Sequence, residues 1–439
     1  MLYRYCRLSQ LKKNVLSGPV LAVGSIPVLL ISYPLYLYYL GTKLYGLWAT
    51  ISVVVAFSQL GNMGINTAIV KYTAEEYGKR QTEAITEYFT TSVCILAVAS
   101  ALIIAILVVF RYQIVAFLDL DKEYQQRALV LVPWVGGLSV IAFLANLARG
   151  TLTGIGRADL SNYVFLGGRL MQVAVSLLFL AIGLGIWGLF LGALFSHLIV
   201  LSGYIGILTR YKIRLFSCSA FRRDKFRALM QFGGTLWTAQ TISMLTEPFN
   251  KVVISKYVGL SEVTFYDIAV KAVVQLRGIY AVGLAALVPK ISEIRGRFSD
   301  FKDRIADVHD KGVRFAGLAG FPLFFGLFMF CRPMMKTWLG ANYDEQIVFG
   351  FRILLLSYYL NLLAVPSLNV FLGLGRMRVC FNSIAMRSFL NFSVVFLFIL
   401  LNSTITLNLM FVIHSTCVVV VSVYVSVNYV RRTWLEDHR

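Results

Sequence analysis

Long, almost charge-free apolar runs recur along the whole sequence and restrict its fold more than any other feature. A helix that crosses a bilayer needs about 20 mostly apolar residues. The runs that meet this length lie at 14–42, 44–70, 88–110, 128–148, 170–209 (divided into two helices by GLGIWG at 183–188), 228–257, 264–288, 315–331, 353–375, 379–401 and 404–430. The chain is therefore predicted to be an all-α, polytopic membrane protein with twelve transmembrane helices.

The charge composition excludes other classes of protein. Charged residues make up 14% of the 439 residues, against roughly 25% in soluble domains, so a soluble enzyme, a disordered chain and a fibrous protein are ruled out. The net charge of +20 does not indicate a nucleic-acid partner, because cytoplasmic loops of membrane proteins collect Lys and Arg. The same bias predicts that both termini are cytoplasmic. No small-residue cleavage site follows the basic N-terminal residues, so the first helix is expected to be retained rather than cleaved as a signal peptide.

No constellation of residues indicates an enzyme. The six cysteines are scattered without C-x-x-C pairs, so neither a disulfide framework nor a zinc site is expected. No nucleotide-binding G-x-x-x-x-G-K-[ST] is present, and no cofactor or metal is expected. Any energy that the protein needs would therefore come from an ion gradient or from the substrate gradient. His197 and His414 lie within spans, where packed histidines are more common than proton carriers.

The chain repeats itself weakly at half its length. LTGIGR at 152–157 recurs as FLGLGR at 371–376, at the ends of the fourth and tenth spans. Six spans per half preserve orientation, which predicts a parallel duplication. The two six-helix lobes are predicted at 1–212 and 213–439, joined by a basic linker near 210–230. Transporters with this architecture hold the substrate between the halves and rock them.

Two cytoplasmic segments, 291–308 and 221–232, show helical apolar periodicity with Arg and Lys on the other face. We expect amphipathic helices lying on the membrane surface. They either bind lipid head groups or act as a linker that helps the halves move.

Charged residues inside spans are the main candidates for a binding site, because each costs roughly 2.5–3.5 kcal/mol on insertion scales. The six in-span cations are Arg169, Lys251, Lys271, Arg277, Arg352 and Arg387, against the two acids Glu247 and Asp267. Lys251 follows Glu247 by four residues, and Lys271 follows Asp267 likewise, so each pair shares a helix face. The pairs are either internal ion pairs or part of a site. The remaining cations require an anionic partner, which is either a phosphate-bearing ligand or a carboxylate elsewhere in the chain, although those near span ends could instead anchor at the interface.

Uncharged polar residues also share one face of the second span. Gln59, Asn62 and Asn66 fall at helical spacing. They could bind sugar hydroxyls or hydrogen-bond to a neighbouring helix, which is the commoner use.

Several ordered segments resemble one transporter family. They are LGTKLYGLW at 40–48, FSQLGNMGINTAIVKYTAE at 57–75, FYDIAVKAV at 265–273, VPKISE at 288–293, TWLGANYDE at 337–345 and the two G-x-G-R turns. The sequence is similar to polysaccharide-repeat-unit flippases of the multidrug/oligosaccharidyl-lipid/polysaccharide exporter superfamily. The resemblance spans nearly the whole chain, with Asn62 where the family often has an acidic residue.

The resemblance implies twelve helices in two lobes that form a V in the bacterial inner membrane. It implies a flippase that moves undecaprenyl-diphosphate-linked oligosaccharide to the outer leaflet for O-antigen, capsule or exopolysaccharide synthesis, and a cationic lumen that attracts the diphosphate. Glu247 and Asp267 are the ion-coupling candidates. The partners implied are the lipid-linked oligosaccharide, membrane lipids, a polysaccharide polymerase and a chain-length regulator.

Two alternatives remain open. A drug or organic-cation exporter of the same superfamily would need unpaired carboxylates and aromatic residues, whereas in-span cations outnumber acids here. A membrane-embedded glycosyltransferase or polymerase usually has large external loops, and the external loops predicted here are short.

Overall fold

A computed structural model describes residues 10–53, 64–118, 120–211, 213, 221–297, 301–401 and 404–434. Every regular element in these ranges is helical, and they contain no strand. The helices up to the linker are α1 Gln10–Ile51, α2 Ile65–Gly78, α3 Thr82–Val109, α4 Arg111–Phe117, α5 Lys122–Gly154, α6 Ala158–Ala181 and α7 Ile186–Arg210. The others are α8 Arg223–Tyr257, α9 Leu260–Leu284, α10 Leu287–Arg297, α11 Phe301–Met329, α12 Cys331–Leu339, α13 Glu345–Gly373, α14 Met377–Leu400 and α15 Leu407–Trp434.

Nine helices in the described ranges are long and apolar enough to cross a bilayer. They are α1, α3, α5, α6, α7, α11, α13, α14 and α15, which confirms an all-α, multi-pass membrane protein. The predicted count of twelve is not confirmed. The second predicted span includes 54–63, which lie outside the described residues, and α8 and α9 carry in-span charges that lower their apolar character.

Glycines in a left-handed conformation mark the breaks between helices, as the sequence predicts. Gly41 interrupts α1 with φ of 68°, and Gly183 and Gly185 separate α6 from α7 with φ of 89° and 54°. Gly156 and Gly375, in the two G-x-G-R turns, have φ of 80° and 71°. Side chains with a Cβ rarely adopt these dihedral angles, so the repeated glycines end α5 and α13 in the same way.

The described chain divides into two compact units, Met1–Met244 and Leu245–Arg439, called unit 1 and unit 2 below. The unit 1 core packs α2, α3, α5 and α7 through Ile65, Ile69, Phe143 and Tyr204, all almost fully buried. The predicted lobes at 1–212 and 213–439 and the linker near 210–230 stay predictions.

In unit 2, the amphipathic segment at 291–308 packs on protein. Ile291, Ile294 and Ile305 are buried in a cluster with Val370 and Phe371 of α13. The prediction of a helix lying with its apolar face on the membrane is therefore wrong for these residues, because the end of α13 covers that face. Periodicity identifies an apolar face but does not say whether lipid or protein covers it. Residues 298–300 lie outside the described part.

The basic segment at 221–232 also makes protein contacts in its described part. The backbone nitrogen of Arg222 donates to Oγ1 of Thr91 at 3.3 Å, and its Nε donates to Glu87 at 3.0 Å. Leu229 is fully buried in the unit 1 core.

Candidate functional site

Four charged residues of unit 2 form one cluster between α8 and α9. Nζ of Lys251 lies 2.6 Å from Oδ1 of Asp267 and 2.8 Å from Oε1 of Glu247. Nζ of Lys271 lies 2.9 Å from the other oxygen of Asp267. The Asp267 side chain is fully buried, that of Lys251 is 9% exposed and that of Lys271 is 45% exposed. The sequence predicts two separate i,i+4 pairs, and the structure joins them through Asp267.

This cluster has two positive and two negative side chains, so its charges compensate one another. Burying an ion without a partner costs several kcal/mol, whereas close opposite charges offset that cost. The arrangement fits the internal ion-pair interpretation of Lys251 and Asp267. Lys271 and Glu247 are partly exposed and keep access to a ligand or an ion.

A hydrogen-bonded network of neutral groups lies in the same unit and ends on an arginine. Nδ2 of Asn250 donates to the Tyr266 hydroxyl at 2.8 Å, and that hydroxyl lies 2.7 Å from Nδ1 of His414. Nε2 of His414 lies 3.1 Å from the Tyr358 hydroxyl. Arg387 donates from Nη2 to the Tyr358 hydroxyl at 3.2 Å and lies 3.3 Å from Nε2 of His414. The network fixes the Arg387 guanidinium without neutralising its charge.

Arg387 and Arg277 line a common cavity of about 180 Å³ between α9, α13, α14 and α15. Its other polar lining comes from Tyr358, Asn361, Ser383 and Ser422, with no carboxylate among the lining residues. The Nε atom of Arg277 is buried and has no hydrogen-bond partner within the described residues. In those residues neither arginine forms an ion pair, so the cavity has an uncompensated positive charge. We call it the unit 2 cavity.

A second cavity, of about 210 Å³, lies between α5, α6 and α7 and is called the unit 1 cavity. Arg149 and Arg169 line it together with the amides of Asn146 and Gln172, again without a carboxylate. Both guanidinium groups contact the ring of Phe165, at 4.3 Å for Arg149 and 5.1 Å for Arg169. An aromatic face stabilises a cation but does not neutralise it. In the described chain this cavity is therefore also cationic.

The other predicted residues lie elsewhere. Nε of Arg352 donates to the backbone oxygen of Phe328 at 3.3 Å, and Arg352 lines neither cavity. Oδ1 of Asn66 lies so close to α5 that a Cβ at Gly150 would be 2.6 Å from it, which fits the helix-contact interpretation. Gln59 and Asn62 lie outside the described residues.

Sequence reasoning missed several lining residues. Arg149 lies one residue beyond the predicted fourth span at 128–148, but it is inside α5 and lines the unit 1 cavity. A signal existed, because Arg149 precedes the G-x-G-R turn and continues the helix of the fourth span. Tyr358 and His414 belong to no sequence motif that would predict a contact with Arg387. They lie beside it only because the fold brings α13, α14 and α15 together.

The comparisons with known proteins fit this architecture. The family model described as "Polysaccharide biosynthesis protein" matches residues 39–348, well over half of the chain. The chain belongs to this family. A curated Shigella flexneri protein named "Putative O-antigen transporter" is 25% identical over 154 residues. The alignment covers 35% of this polysaccharide biosynthesis protein and only 36% of that relative.

Solved structures show the same fold. The lipid II flippase MurJ in an inward closed conformation superposes with a TM-score of 0.73 at 12% identity, over 93% of this chain and 87% of MurJ. An inward-facing multidrug resistance MATE family transporter of the MOP superfamily gives 0.71 at 14% identity, over 95% and 94%. The predicted family is confirmed by the family match, and the solved structures show that the fold is shared with MATE transporters and MurJ. The comparisons point to a transporter family rather than to an enzyme.

Proposed function

We propose that the protein is a flippase for undecaprenyl-diphosphate-linked oligosaccharide, moving repeat units from the inner to the outer leaflet of the bacterial inner membrane. The family membership and the partial similarity to the Shigella flexneri protein support a role in O-antigen, capsule or exopolysaccharide synthesis. In this proposal both termini are cytoplasmic. A polymerase and a chain-length regulator use the product.

The observation that carries the proposal is the uncompensated pair Arg277 and Arg387 in the unit 2 cavity. Guanidinium groups bind phosphate oxygens bidentately, and such charge-assisted hydrogen bonds are stronger than neutral ones. A diphosphate offers acceptors to both arginines at once. The diphosphate would bind in the unit 2 cavity, while Arg169, Arg149 and the amides of the unit 1 cavity offer donors to sugar hydroxyls or acidic sugars.

The alternative, an organic-cation exporter, has weaker support. Such an exporter needs an accessible, unpaired carboxylate inside the protein. Asp267 is buried against two lysines, and the partly exposed Glu247 is paired with Lys251 at 2.8 Å. The cationic linings of both cavities would repel an organic cation. The MATE structures share the fold, but at this identity they do not specify the cargo.

The transport step we propose is alternating access. The diphosphate enters from the cytoplasmic leaflet and binds the arginines, and the polyprenyl tail stays in the lipid. The lobes then rock so that the site opens to the outer face. Lys271 and Glu247, the partly exposed members of the charged cluster, are the residues through which substrate or ion binding would be sensed.

Deletion followed by complementation tests this function. Loss of the gene should remove one surface glycan and cause its lipid-linked precursor to accumulate inside the cell. The Arg277→Gln/Arg387→Gln double variant should fail to restore the glycan, whereas Arg111→Gln, a change of an arginine at a helix end outside both cavities, should restore it. A strain that keeps its glycan but loses resistance to cationic dyes would instead support the exporter.

A further inference from the structure

An apolar groove in unit 2 lies outside both cationic cavities. It runs between α11 and α13, has a volume of about 230 Å³ and is lined by four phenylalanines and by leucines and a tyrosine. Phe324 and Leu355 form its buried floor. Phe321, Phe325 and Leu356 are about half exposed and form its walls. The surface of a multi-pass membrane protein is covered by lipid, so a hydrocarbon chain is the natural occupant of such a groove.

The lining of the groove is almost entirely apolar. Its one hydroxyl group, that of Tyr359, donates a hydrogen bond to the backbone oxygen of Gly317 at 3.4 Å. That hydroxyl is therefore not a free donor for a polar ligand. From Phe321 to Phe328 the groove extends ~10 Å along α11, at 1.5 Å per residue.

Arg352 closes one end of the groove. Its Nε donates to the backbone oxygen of Phe328 at 3.3 Å, and its guanidinium carbon lies 5.5 Å from the centre of the Phe328 ring. Phe328 is itself a lining residue, and Arg352 lies one turn before Leu355 and Leu356 on the same face of α13. In the described part of the chain, no carboxylate forms an ion pair with Arg352. Its Nη donors are thus available to an anion.

The position of Arg352 along α13 matches that of a lipid head group. This helix has 29 residues and is ~44 Å long, against a hydrocarbon core of ~30 Å. Arg352 lies about two turns inside its first residue, near the expected boundary of the hydrocarbon core. The groove continues from that boundary towards the membrane centre.

We propose that this groove binds one anionic phospholipid, with the phosphate on the Arg352 guanidinium and an acyl chain along the phenylalanines. The positive charge of Arg352, which has no carboxylate at ion-pair distance in the described residues, favours a net negative head group over a zwitterionic one of the same chain length. The site uses neither Arg277 nor Arg387, so it does not depend on the proposed flippase activity.

Native mass spectrometry of the full-length protein in detergent tests the proposal. Phosphatidylglycerol and phosphatidylcholine with identical chains are added separately, and the retained lipid is counted. The wild-type protein should retain phosphatidylglycerol in preference. The Arg352→Gln variant should lower that retention roughly tenfold, the loss expected for a hydrogen bond to a charged group. Equal retention of both lipids by the wild-type protein would overturn the proposal.

Two further variants separate the head group from the chain. Arg111→Gln is the matched control, because Arg111 also lies near an aromatic ring, that of Tyr112 at 4.8 Å, at a helix end, but lines neither this groove nor the two cavities. It should leave retention unchanged, and an equal loss in both arginine variants would contradict a specific site. Leu356→Trp fills the groove from its exposed wall and should reduce retention of both lipids. Excess inorganic phosphate should not displace the lipid, and displacement would mean that the acyl chain is not bound.

Discussion

The two cationic cavities place an arginine at repeat-equivalent positions but surround it with different partners. Arg169 in α6 and Arg387 in α14 each follow a G-x-G-R turn by about three helical turns. Arg169 contacts the face of Phe165 at 5.1 Å. Arg387 is hydrogen-bonded to Tyr358 and lies beside His414. An arginine therefore stands at the corresponding position in each half, but the groups that position Arg169 differ from those that position Arg387.

The nearby histidines show the same divergence. Nδ1 of His197 in α7 lies 2.7 Å from the backbone oxygen of Ala193 in its own helix. His414 in α15 lies between Tyr266, Tyr358 and Arg387. The Arg387 guanidinium is therefore fixed by directional hydrogen bonds, whereas that of Arg169 makes a less directional ring contact. In the unit 1 cavity it is Arg149 that forms hydrogen bonds, to Oγ of Ser161 at 3.3 Å and to Oδ1 of Asn162 at 3.4 Å. A preorganised donor loses less entropy on binding, and Arg387 is the donor at which we propose that the diphosphate binds.

The largest effect is expected on stability, from the charged cluster that borders the unit 2 network. Asp267→Asn leaves Lys251 buried with Glu247 as its remaining carboxylate. Breaking a buried pair costs about 3–5 kcal/mol, and because Glu247 remains we expect about 3 kcal/mol. Thermal unfolding of the purified protein in detergent measures it.

The exposed pair Glu123 and Arg127, 2.9 Å apart, provides the control for this change. Glu123→Gln should alter stability by about 1 kcal/mol or less, because exposed pairs contribute little. Similar losses in the two variants would mean that the Asp267 cluster is not structurally important.

The next largest effect is expected on transport, and it distinguishes the unit 2 cavity from the unit 1 cavity. Arg387→Gln removes one of the two proposed phosphate ligands, and losing a hydrogen bond to a charged group costs about 1.5–3 kcal/mol, or roughly 10- to 100-fold in affinity. Arg169→Gln should reduce transport less, because the unit 1 cavity is proposed to contact the sugars and not the diphosphate. Precursor accumulation in complemented deletion strains ranks the two variants. The reverse order would move the diphosphate site to unit 1.

A smaller effect is expected for Tyr358→Phe, which removes the hydroxyl that positions Arg387 while keeping the ring. We expect a loss of about 1 kcal/mol, roughly fivefold in apparent substrate affinity. The maximal transport rate should change little if the hydroxyl acts only by positioning. Titrating precursor supply separates affinity from rate, and a fall in rate alone would contradict the positioning role.

The smallest effect should follow Phe165→Leu, which removes the ring shared by Arg149 and Arg169. A partly exposed cation–π contact contributes about 0.5–1 kcal/mol. We expect transport within about fivefold of the wild type and a slightly lower unfolding temperature. A loss as large as that of Arg387→Gln would show that the unit 1 cavity is the principal site.

Much of the fold follows from local patterns. Apolar runs predict the nine membrane-compatible helices, and glycine-rich segments predict the breaks at Gly156, Gly183 and Gly375, because both signals depend on neighbouring residues only. Asp267 bridging two lysines could not be predicted from i,i+4 spacing, since Lys251 reaches it from another helix. The prediction that the apolar face with Ile291 and Ile305 lies on the membrane was wrong for the same reason. The sequence shows that the face is hydrophobic but not whether protein or lipid covers it.

The candidate site was partly accessible from the sequence. In-span charge identified Arg169, Arg277 and Arg387, because an uncompensated cation in an apolar run is costly and rare. Arg149 was missed because its helix continues beyond the charge-free run. The aromatic and histidine groups that position the arginines give no sequence signal, since packing uses the same residue types.

Calorimetric titration of the purified protein with farnesyl diphosphate tests the central claim most directly, because this short lipid carries the diphosphate without the sugars. We predict binding to the wild type and at least a roughly 100-fold weaker affinity in Arg277→Gln/Arg387→Gln, where two charged ligands are lost. Arg149→Gln/Arg169→Gln should bind within a few-fold of the wild type. Wild-type affinity in the unit 2 double variant would contradict the assignment of the diphosphate to the unit 2 cavity.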